Sequence, residues 1–345
     1  MTDSLSATID KMMAAGLGVG VDAVMKCESV LSGHKNVFVS VSGGADSDVM
    51  LDLIERVRVS VPSTKITYGW FNTGLEYDAT KRHLDYLEQR YGIEIVRHKA
   101  VKPIPSCCRE YGEPFINKYV SEQMGRLQRH GFQWEDDPYE VLVERYPRCI
   151  SAIKWWCNRW TRSSTPGWFD IGRNAMLTEF IISNPPDFPI SADCCKYAKK
   201  ETAKRVNKDL QVDLEVIGVR QAEGGVRKAN KAYRDGCFTA RDGGVDSYRP
   251  LYWFSNADKA DYNRIFGIRN SDCYEVWGFT RTGCVGCPFN LTAMMELATA
   301  RIYEPKLVRA VESVFKRSYA YTQAFHEFRV AQGNQMVLDL RHARR

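Results

Sequence analysis

The chain has 345 residues, of which 44% are hydrophobic, and a formal net charge of +6. This length supports one large domain or two modest ones, each with a hydrophobic core. No apolar run reaches the roughly 20 residues that span a bilayer, and no basic stretch precedes the first apolar residues. The sequence therefore predicts a cytoplasmic protein with no membrane partner. The mild positive charge is compatible with a nucleic acid or an anionic substrate, although a solvated surface accounts for most of the charged side chains.

The first third of the chain predicts alternating strands and helices. Residues 1–35 form a predicted N-terminal helical segment, which glycines at 16, 18 and 20 prevent from being one long helix. The predicted elements that follow are strands at 36–41, 66–71 and 93–98 and helices at 48–59 and 79–91. This alternation favours βαβ units and a parallel sheet, which binds ligands at the carboxyl ends of its strands.

The rest of the chain interrupts and then resumes this pattern. Residues 103–190 predict a helical insertion with helices at 138–146, 149–156 and 173–182. A helix at 195–207, a strand at 213–219 and a polar, glycine-rich loop at 224–246 follow. The predicted organisation is an N-terminal segment (1–35), an α/β domain with the insertion (36–290) and a helical C-terminal segment (291–345). The fold class is α/β with a parallel sheet.

A glycine-rich turn joins the first strand to the first helix of this α/β pattern. The apolar run 37–41 leads into Ser42-Gly43-Gly44-Ala45-Asp46-Ser47 and then into the helix. In such a turn, backbone N–H groups and the positive helix end point at an anion, and paired glycines let the backbone come close. The turn matches neither G-x-x-x-x-G-K-S nor G-x-G-x-x-G. A glycine hairpin without a ligand is the alternative.

This turn resembles the S-G-G-x-D-S pyrophosphate loop (PP-loop) of the adenine-nucleotide α-hydrolase-like superfamily. That group includes phosphoadenylyl-sulfate reductases and tRNA-thiolating enzymes. The resemblance implies a Rossmann-like sheet that binds ATP, adenylyl sulfate or phosphoadenylyl sulfate through Ser42, Gly43, Gly44, Asp46 and Ser47. Asp46 is predicted to help hold Mg²⁺ with ATP and to act in catalysis.

A second polar turn follows the second predicted strand. Gly74 permits a tight turn, and Thr73 and Glu76 place polar groups at the sheet edge. The segment is similar to the D-T-G segment of the reductases, which implies that Thr73, Gly74 and Glu76 bind the nucleotide. Asn72 stands where an acidic residue is expected. An ordinary turn is the alternative.

The chain contains eleven cysteines, including the pairs Cys194-Cys195 and Cys284-Val285-Gly286-Cys287. Adjacent cysteines suit metal ligation better than a disulfide framework. In the C-x-x-C segment, a glycine lets the backbone bend so that two thiolates converge. Four soft sulfur ligands suit zinc or an iron–sulfur cluster, and chemistry alone does not choose between them.

The two pairs are similar to the C-C…C-x-x-C arrangement of cluster-bearing adenylyl-sulfate reductases. DNA-phosphorothioation enzymes of the same superfamily also have cysteine-ligated clusters. The resemblance implies a four-iron four-sulfur cluster on Cys194, Cys195, Cys284 and Cys287, with structural zinc or unligated thiols as alternatives. It also places Lys199 between cluster and substrate as a catalytic residue, whereas a solvated lysine is the alternative.

The remaining cysteines and the histidines carry no predicted site. The cysteines at 107, 108, 149 and 157 are irregularly spaced, which favours buried or idle thiols over a second metal site. Those at 27, 237 and 273 are isolated, and the six histidines form no ligand-type pair.

A further loop follows the strand predicted at 213–219. Residues 218–227 resemble the G-x-R-x-x-E-x-x-x-R segment of the sulfonucleotide reductases. The resemblance implies that Gly218, Arg220, Glu223 and Arg227 line the nucleotide site, with Arg220 also catalytic. A guanidinium binds phosphate or sulfate in bidentate fashion. A surface salt bridge is the alternative.

The two enzymatic hypotheses differ in their need for a nucleophilic thiol. Sulfonucleotide reductases use a cysteine near the C-terminus, and this chain has no cysteine after Cys287. The sequence therefore favours ATP-dependent sulfur transfer, with release of AMP and pyrophosphate, to an acceptor such as a nucleic acid. A sulfur or electron donor protein is an expected partner. Reduction of adenylyl sulfate or phosphoadenylyl sulfate is the first alternative. A nucleotide-sensing or nucleic-acid-binding module with a structural cluster is the second.

Overall fold

The computed structural model describes residues 4–162, 164–224 and 236–342. The chain divides into two compact units. Unit 1 comprises Met1–Val101 and Ala198–Val285, and unit 2 comprises Lys102–Tyr197 and Gly286–Arg345. Within the described residues, no helix has the length and apolar character that a membrane crossing requires. The domain boundaries predicted from the sequence stay predictions.

Unit 1 is built on a sheet whose described strands follow the order β3-β2-β1-β4-β6-β5. The strands are β1 (Asn36–Ser40), β2 (Lys65–Asn72), β3 (Ile95–Lys99), β4 (Leu214–Ile217), β5 (Phe238–Thr239) and β6 (Asp246–Tyr248). All neighbouring strands pair in parallel except β5 and β6, which are antiparallel. The predicted α/β class with a parallel, Rossmann-like sheet is confirmed.

The described helices account for most of the remaining chain. In unit 1 and unit 2 together they are α1 (Leu5–Ala14), α2 (Gly18–Ser32), α3 (Ala45–Arg58), α4 (Asp78–Tyr91), α5 (Ile104–Tyr111), α6 (Lys118–Arg129), α7 (Tyr139–Arg145), α8 (Ile150–Trp156), α9 (Leu177–Ser183), α10 (Asp193–Cys195), α11 (Glu201–Asp209), α12 (Asn256–Phe266), α13 (Asp272–Glu275), α14 (Ala293–Tyr303), α15 (Pro305–Val314) and α16 (Lys316–His342). A π-helical turn, Lys196–Lys200, separates α10 from α11.

Each unit has its own hydrophobic core. In unit 1, α3 is buried over nearly its whole length, and Val49, Leu53 and Ile54 are fully buried beside the β1 residues Val37 and Val39. In unit 2, the core is formed mainly by aromatic and aliphatic side chains of α6, α8 and α9. Burial of these apolar faces stabilises each unit at roughly 25 cal/mol per Å².

The sheet order places a topological switch point in unit 1. From β1 the chain moves outward through β2 to β3, and it later returns to the other side of β1 as β4. The connections that follow β1 and β4 therefore leave these adjacent strands in opposite directions. This opens a crevice at the carboxyl ends of β1 and β4. Open α/β sheets bind their ligands in this crevice.

The structure corrects several predicted elements. The helix predicted at 173–182 begins only at Leu177, because Met176 at its N-cap has a left-handed backbone with φ of 64°. The predicted helix at 195–207 contains the π-helical turn, which the sequence pattern did not indicate. In the predicted loop at 224–246, residues 225–235 lie outside the described residues, and β5 and the start of β6 occupy part of the remainder. These strands are too short to have an alternating pattern, and they are determined by the pairing of β6 with β4 and of β5 with β6.

Candidate nucleotide-binding site

The loop Ser42–Ser47 lies at the switch point, between the end of β1 and the start of α3. Gly43 has φ of 68°, and a Cβ there would lie 2.9 Å from Cγ2 of Thr80. Both facts require glycine at this position. Gly44 is the N-cap of α3 and contributes no side-chain cap to the helix N-terminus, a position that attracts anions.

The two loop serines fix the shape of this turn from inside. The backbone N–H of Ser42 donates to Oγ of Ser47 over 2.8 Å, and the N–H of Gly44 donates to Oγ of Ser42 over 3.3 Å. Both hydroxyl oxygens thus accept hydrogen bonds from the loop, and their own protons are left to donate to an anion. Ser42 and Ser47 therefore fix the shape of the loop.

A tyrosine that no motif indicated lies directly over the N-terminus of α3. The hydroxyl oxygen of Tyr274 accepts hydrogen bonds from the backbone N–H of Ala45 and, over 3.1 Å, from that of Thr282. It also lies 2.9 Å from Oγ1 of Thr282. Burial raises the pKa of Tyr274, and the hydrogen bonds from Thr282 partly oppose this shift. The phenol thus occupies a position that a bound anion would share.

Asp46 faces two cations in the structure. Its Oδ1 lies 3.0 Å from Nε of Arg220 and 2.8 Å from Nζ of Lys259. Neither Oδ1 of Asp46 nor Nε of Arg220 has hydrogen-bond geometry, so these contacts are electrostatic. Two cations beside one carboxylate leave a surplus of positive charge next to the loop. Lys259 comes from α12, far along the chain, and no sequence motif indicated it.

Arg220 is buried, with 4% of its surface exposed. Its Nη1 donates to the carbonyl oxygen of Phe254 over 3.3 Å and to Oδ1 of Asn256 over 3.1 Å. The carboxylate of Glu223 accepts the backbone N–H of Arg220 over 3.2 Å. Arg220 and Glu223 thus lie at the switch point, where they also stabilise the turn after β4. Arg227 lies outside the described residues.

Gly218 brings the turn after β4 against the PP-loop. A Cβ at Gly218 would lie 3.2 Å from the carbonyl oxygen of Asp46 and 3.3 Å from Cα of Ser47. These distances are tighter than ordinary van der Waals contact with backbone that has little freedom to move. Gly218 is therefore adjacent to the predicted phosphate site, and its small size is explained by packing.

The turn after β2 joins the site from the other side of β1. Gly74, with φ of 91°, donates its N–H to Oδ1 of Asn72 over 3.0 Å, so Asn72 closes the turn with its side-chain amide. Thr73 donates its hydroxyl to Glu76 over 2.6 Å and lies 3.7 Å from Sγ of Cys284. The structure thus brings together Thr73, Glu76 and Cys284.

Glu76 and Lys199 interact electrostatically within unit 1. Desolvation raises the pKa of Glu76, and the positive charge of Lys199 and the hydrogen bond from Thr73 lower it. Lys199 therefore acts on the turn after β2. The side chain of Lys199 is exposed to solvent, and its predicted contact with an anionic substrate stays a prediction.

A second buried pair that the sequence did not indicate lies one turn into α3. Oδ2 of Asp48 is 2.9 Å from Nε2 of His83 on α4, and both side chains are buried. Desolvation raises the pKa of Asp48, and the hydrogen bond from His83 opposes the shift. The pair fixes the first turn of α3 against α4 directly beneath the loop.

The predicted cysteine ligands are divided between the two units. Cys284 belongs to unit 1, and Cys194, Cys195 and Cys287 belong to unit 2. Within unit 2, a hydrogen bond between the thiols of Cys194 and Cys195 is the largest cause that raises the pKa of Cys194, and Cys108 and Cys287 lie near enough to contribute. Within the described residues, no disulfide joins any two cysteines.

The donor chemistry fits a soft metal centre, but the side chains are not closed around one. Over the described ranges, no three His, Cys, Asp or Glu side chains are grouped so that they could hold a metal ion. Gly286 in the C-x-x-C segment has φ of 60°, and a Cβ there would lie 2.5 Å from Cγ1 of Val311. The predicted backbone bend at Gly286 is therefore present. That the four predicted cysteines share one centre stays a prediction.

Comparison with known proteins identifies a family that the first strands and helices of the α/β pattern resemble. The sequence model described as "Phosphoadenosine phosphosulfate reductase domain" matches residues 36–120. This match contains the loop Ser42–Ser47 and the turn after β2, and it confirms the resemblance to phosphoadenylyl-sulfate reductases. No curated protein matches the chain.

Two solved structures are similar to this chain at low identity. One is a phosphoadenylyl-sulfate reductase from Candida auris in a phosphate complex, with 12% identity, a TM-score of 0.38, and coverage of 75% of this chain and 85% of that chain. The other is the U34-tRNA thiolase NcsA from Methanococcus maripaludis with its [4Fe-4S] cluster, with 13% identity, a TM-score of 0.36, and coverage of 88% of this chain and 78% of that chain.

Proposed function

We propose that the protein catalyses ATP-dependent sulfur transfer, with release of AMP and pyrophosphate, to an acceptor such as a nucleic acid. The observation that carries the proposal is the loop Ser42–Ser47, where a helix N-terminus without a side-chain cap lies beside the surplus positive charge of Arg220 and Lys259. This combination suits a polyphosphate.

The nucleotide phosphates would lie in the PP-loop. Ser42, Gly43, Gly44 and Ser47 would donate backbone N–H or hydroxyl groups to the β- and γ-phosphates. The turns after β2 and β4 would contact the rest of the nucleotide through Thr73, Gly74, Glu76, Gly218, Arg220, Glu223 and Arg227. Lys199, which acts electrostatically on Glu76, would attract the anionic end of the substrate.

The reaction would take place in two displacements. An oxygen of the acceptor attacks the α-phosphate of ATP, the bond to the β-phosphate breaks, and pyrophosphate leaves. Hydrosulfide or a persulfide sulfur then attacks the acceptor carbon, and AMP leaves with the oxygen. A persulfide donor also needs a thiol to reduce the resulting disulfide. Positioning and charge neutralisation would supply most of the rate enhancement.

Asp46 would exchange its partners when ATP and Mg²⁺ bind. In the structure its carboxylate faces Arg220 and Lys259. A polyphosphate would attract both cations, so that the carboxylate becomes available to Mg²⁺, for which oxygen ligands are preferred. This exchange would link metal binding to nucleotide binding.

Cys194, Cys195, Cys284 and Cys287 are the proposed ligands of a four-iron four-sulfur cluster, with zinc as the alternative. Such a cluster, when bound through four thiolates, would supply electron transfer. The soft donor set and the left-handed backbone at Gly286 support the proposal.

Reduction of adenylyl sulfate or phosphoadenylyl sulfate is the second candidate. It needs a thiol that attacks sulfur, and a cysteine of the insertion, at 107, 108, 149 or 157, would have to supply it. A nucleotide-sensing or nucleic-acid-binding module with a structural cluster is the third candidate, and it would bind nucleotide without turnover.

The products formed from the nucleotide distinguish the three candidates. Anaerobically purified protein is incubated with ATP, adenylyl sulfate or phosphoadenylyl sulfate, with sulfide and total RNA or DNA as acceptors, and the products are separated. AMP and pyrophosphate from ATP are expected. Sulfite from either sulfate ester would instead establish reduction, and nucleotide bound but unchanged would establish a sensing role.

The loop variants Ser42→Ala and Asp46→Ala test whether this reaction uses the PP-loop. Both are expected to weaken ATP binding because they remove a loop contact and a metal ligand. Ser60→Ala is the matched control, since Ser60 is an exposed serine at the opposite end of α3. Unchanged ATP affinity in both loop variants would exclude the loop from the site.

A further inference from the structure

Unit 2 exposes a cluster of aromatic rings on one connection between helices. Residues 158–162 and 164–173, here called the aromatic loop, join α8 towards α9. Trp168 is 77% exposed, Phe169 60% and Trp160 44%. Exposure of large aromatic side chains on a soluble unit indicates an interaction surface rather than a packing requirement.

A buried carboxylate holds the aromatic loop in this form. Asp170 is 1% exposed, and its oxygens accept the backbone N–H groups of Trp160 and Gly167, each over 2.9 Å. Hydrogen bonds from these N–H groups and from Thr161 hold the pKa of Asp170 below its usual range despite burial. The rings are therefore presented by a preorganised loop, which lowers the entropy cost of binding a partner.

Cations accompany the exposed rings. Cζ of Arg173 lies 4.7 Å from the ring centroid of Trp168, and Nζ of Lys154 lies 5.3 Å from that of Trp160. Arg162 is also exposed. Between residues 154 and 173 the single acidic residue is the buried Asp170, so the exposed charge of this stretch is positive.

The nearest acidic side chains define the limits of this surface. Arg159 pairs with Glu140 over 3.6 Å and is not counted among the available cations. A cavity of about 570 Å³ adjoins the start of the loop and includes Asp136, Asp137 and Glu179 in its lining. These carboxylates would repel phosphates, so a polyanion would follow Arg162 and Arg173 instead.

We infer that the aromatic loop is a docking surface for single-stranded nucleic acid, in which unpaired bases stack on Trp168, Phe169 and Trp160 while phosphates contact Arg162 and Arg173. Stacking platforms flanked by cations are the physical basis of single-strand binding. The inference rests on the proposed function, because it identifies the surface on which a nucleic-acid acceptor would be held.

Binding of a fluorescent single-stranded oligonucleotide of about 15 nucleotides, long enough for one binding surface, tests the inference. The same sequence is used as RNA and as DNA, with the DNA duplex for comparison. The full chain is expected to bind a single strand more tightly than the duplex, and the double variant Trp168→Ala/Phe169→Ala is expected to weaken this binding by about tenfold or more. Trp253→Ala removes another exposed tryptophan, in unit 1, and should leave it unchanged.

Salt dependence provides a second readout that a folding defect would not imitate. Arg173→Gln is expected to reduce the slope of log affinity against log salt by about 0.7, the value for one phosphate contact with a single strand. Lys26→Gln, which removes an exposed charge on α2, should leave the slope unchanged. Equal binding by the wild-type chain and the double aromatic variant, or stronger binding of the duplex, would overturn the inference.

ATP binding by the same variants separates this inference from the proposed function. The aromatic variants should bind ATP normally, because the PP-loop belongs to unit 1. If the wild-type chain forms AMP and pyrophosphate but binds no single strand, the docking surface is wrong and the proposed chemistry stands. If single strands bind through the aromatic loop but ATP is neither bound nor cleaved, the proposed chemistry is wrong.

Discussion

Tyr274 occupies the position at which the PP-loop would meet an anion. Its hydroxyl accepts the N–H groups of Ala45 and Thr282, so the N-terminus of α3 is already partly satisfied in the ligand-free chain. A nucleotide phosphate must therefore displace the hydroxyl or share its donors. This residue is a candidate for setting the affinity of the site.

Tyr274→Phe is expected to strengthen ATP binding. Without the hydroxyl, the two N–H groups face water and become available to phosphate, and loss of one competing hydrogen bond of about 1 kcal/mol corresponds to about fivefold tighter binding. Isothermal titration with ATP measures the change, and Tyr139→Phe in unit 2 is the control. Weaker binding by the variant would show that the hydroxyl contacts the nucleotide itself.

Substitution of Gly43 tests the backbone conformation of the loop independently of any ligand. Gly43→Ala places a side chain at φ of 68° and 2.9 Å from the Thr80 methyl group, with an expected loss of about 1–3 kcal/mol in the free energy of unfolding. Gly18→Ala is the control, because a Cβ there meets nothing within 4 Å. Urea unfolding measures both variants, and equal midpoints would contradict the described conformation of Gly43.

At the scale of elements, a buried network fixes α3 against its neighbours. Asp52 is 1% exposed and accepts hydrogen bonds from Arg56, Tyr262 and Tyr91, over 2.6, 2.8 and 2.9 Å respectively. These partners connect α3 to α12 and to the end of α4. The PP-loop is thus attached to a helix whose position is determined by buried polar contacts as well as by apolar packing.

Asp52→Ala is expected to lower the free energy of unfolding by about 3–5 kcal/mol, because it leaves the buried guanidinium of Arg56 without its carboxylate. Asp261→Ala on α12 removes an exposed ion pair with Arg264 and should cost less than about 1 kcal/mol. Denaturant unfolding of both variants checks the difference. Similar losses of unfolding free energy would show that the buried network stabilises the protein no more than an exposed ion pair does.

Glu215 on β4 links stability to pH. Burial raises the pKa of this carboxyl, and Arg241 partly opposes the shift. The folded chain therefore binds the Glu215 proton more tightly than the unfolded chain does, and this contribution is present at low pH and is lost as pH rises through the raised pKa. Glu215→Gln should stabilise the protein at about pH 7 and lose this advantage near pH 4, below the ordinary pKa.

Urea midpoints at the two pH values measure the effect of Glu215→Gln. The exposed Glu94 provides the control variant Glu94→Gln, for which no such pH-dependent gain is expected. A stabilising effect of Glu215→Gln that is equal at both pH values would exclude the desolvated carboxyl as its cause.

At the scale of the whole molecule, the proposed cluster requires four cysteines that lie far apart in the sequence. Cys194→Ser, Cys284→Ser and Cys287→Ser are each expected to lose iron, acid-labile sulfide and the brown colour of the anaerobically purified protein. Cys237→Ser changes a half-buried thiol outside the predicted set and should keep all three. Full iron and sulfide in any of the first three variants would remove that residue from the ligands, and circular dichroism checks that each variant folds.

The sequence predicted the part of the molecule in which local pattern and tertiary structure agree. The strands β1 to β4 and the PP-loop followed from periodicity and from the glycine turn. Lys259 and Tyr274 were missed because they reach the loop only through tertiary packing and belong to no motif. The short strands β5 and β6 were missed because the pairing of β6 with β4 and of β5 with β6, rather than local propensity, determines them.

The place of β1 in the sheet has a consequence for synthesis on the ribosome. One neighbour of β1 in the sheet, β2, follows it closely in the chain. The other neighbour is β4, whose Leu214 pairs with Val37 and is translated much later. Until then one edge of β1 lacks its partner, and an unpaired strand edge in a nascent chain invites aggregation. We expect ATP to bind only after β4 has emerged, so that the pocket is completed among the last steps of folding and chaperones are needed most while the intervening segment is being made.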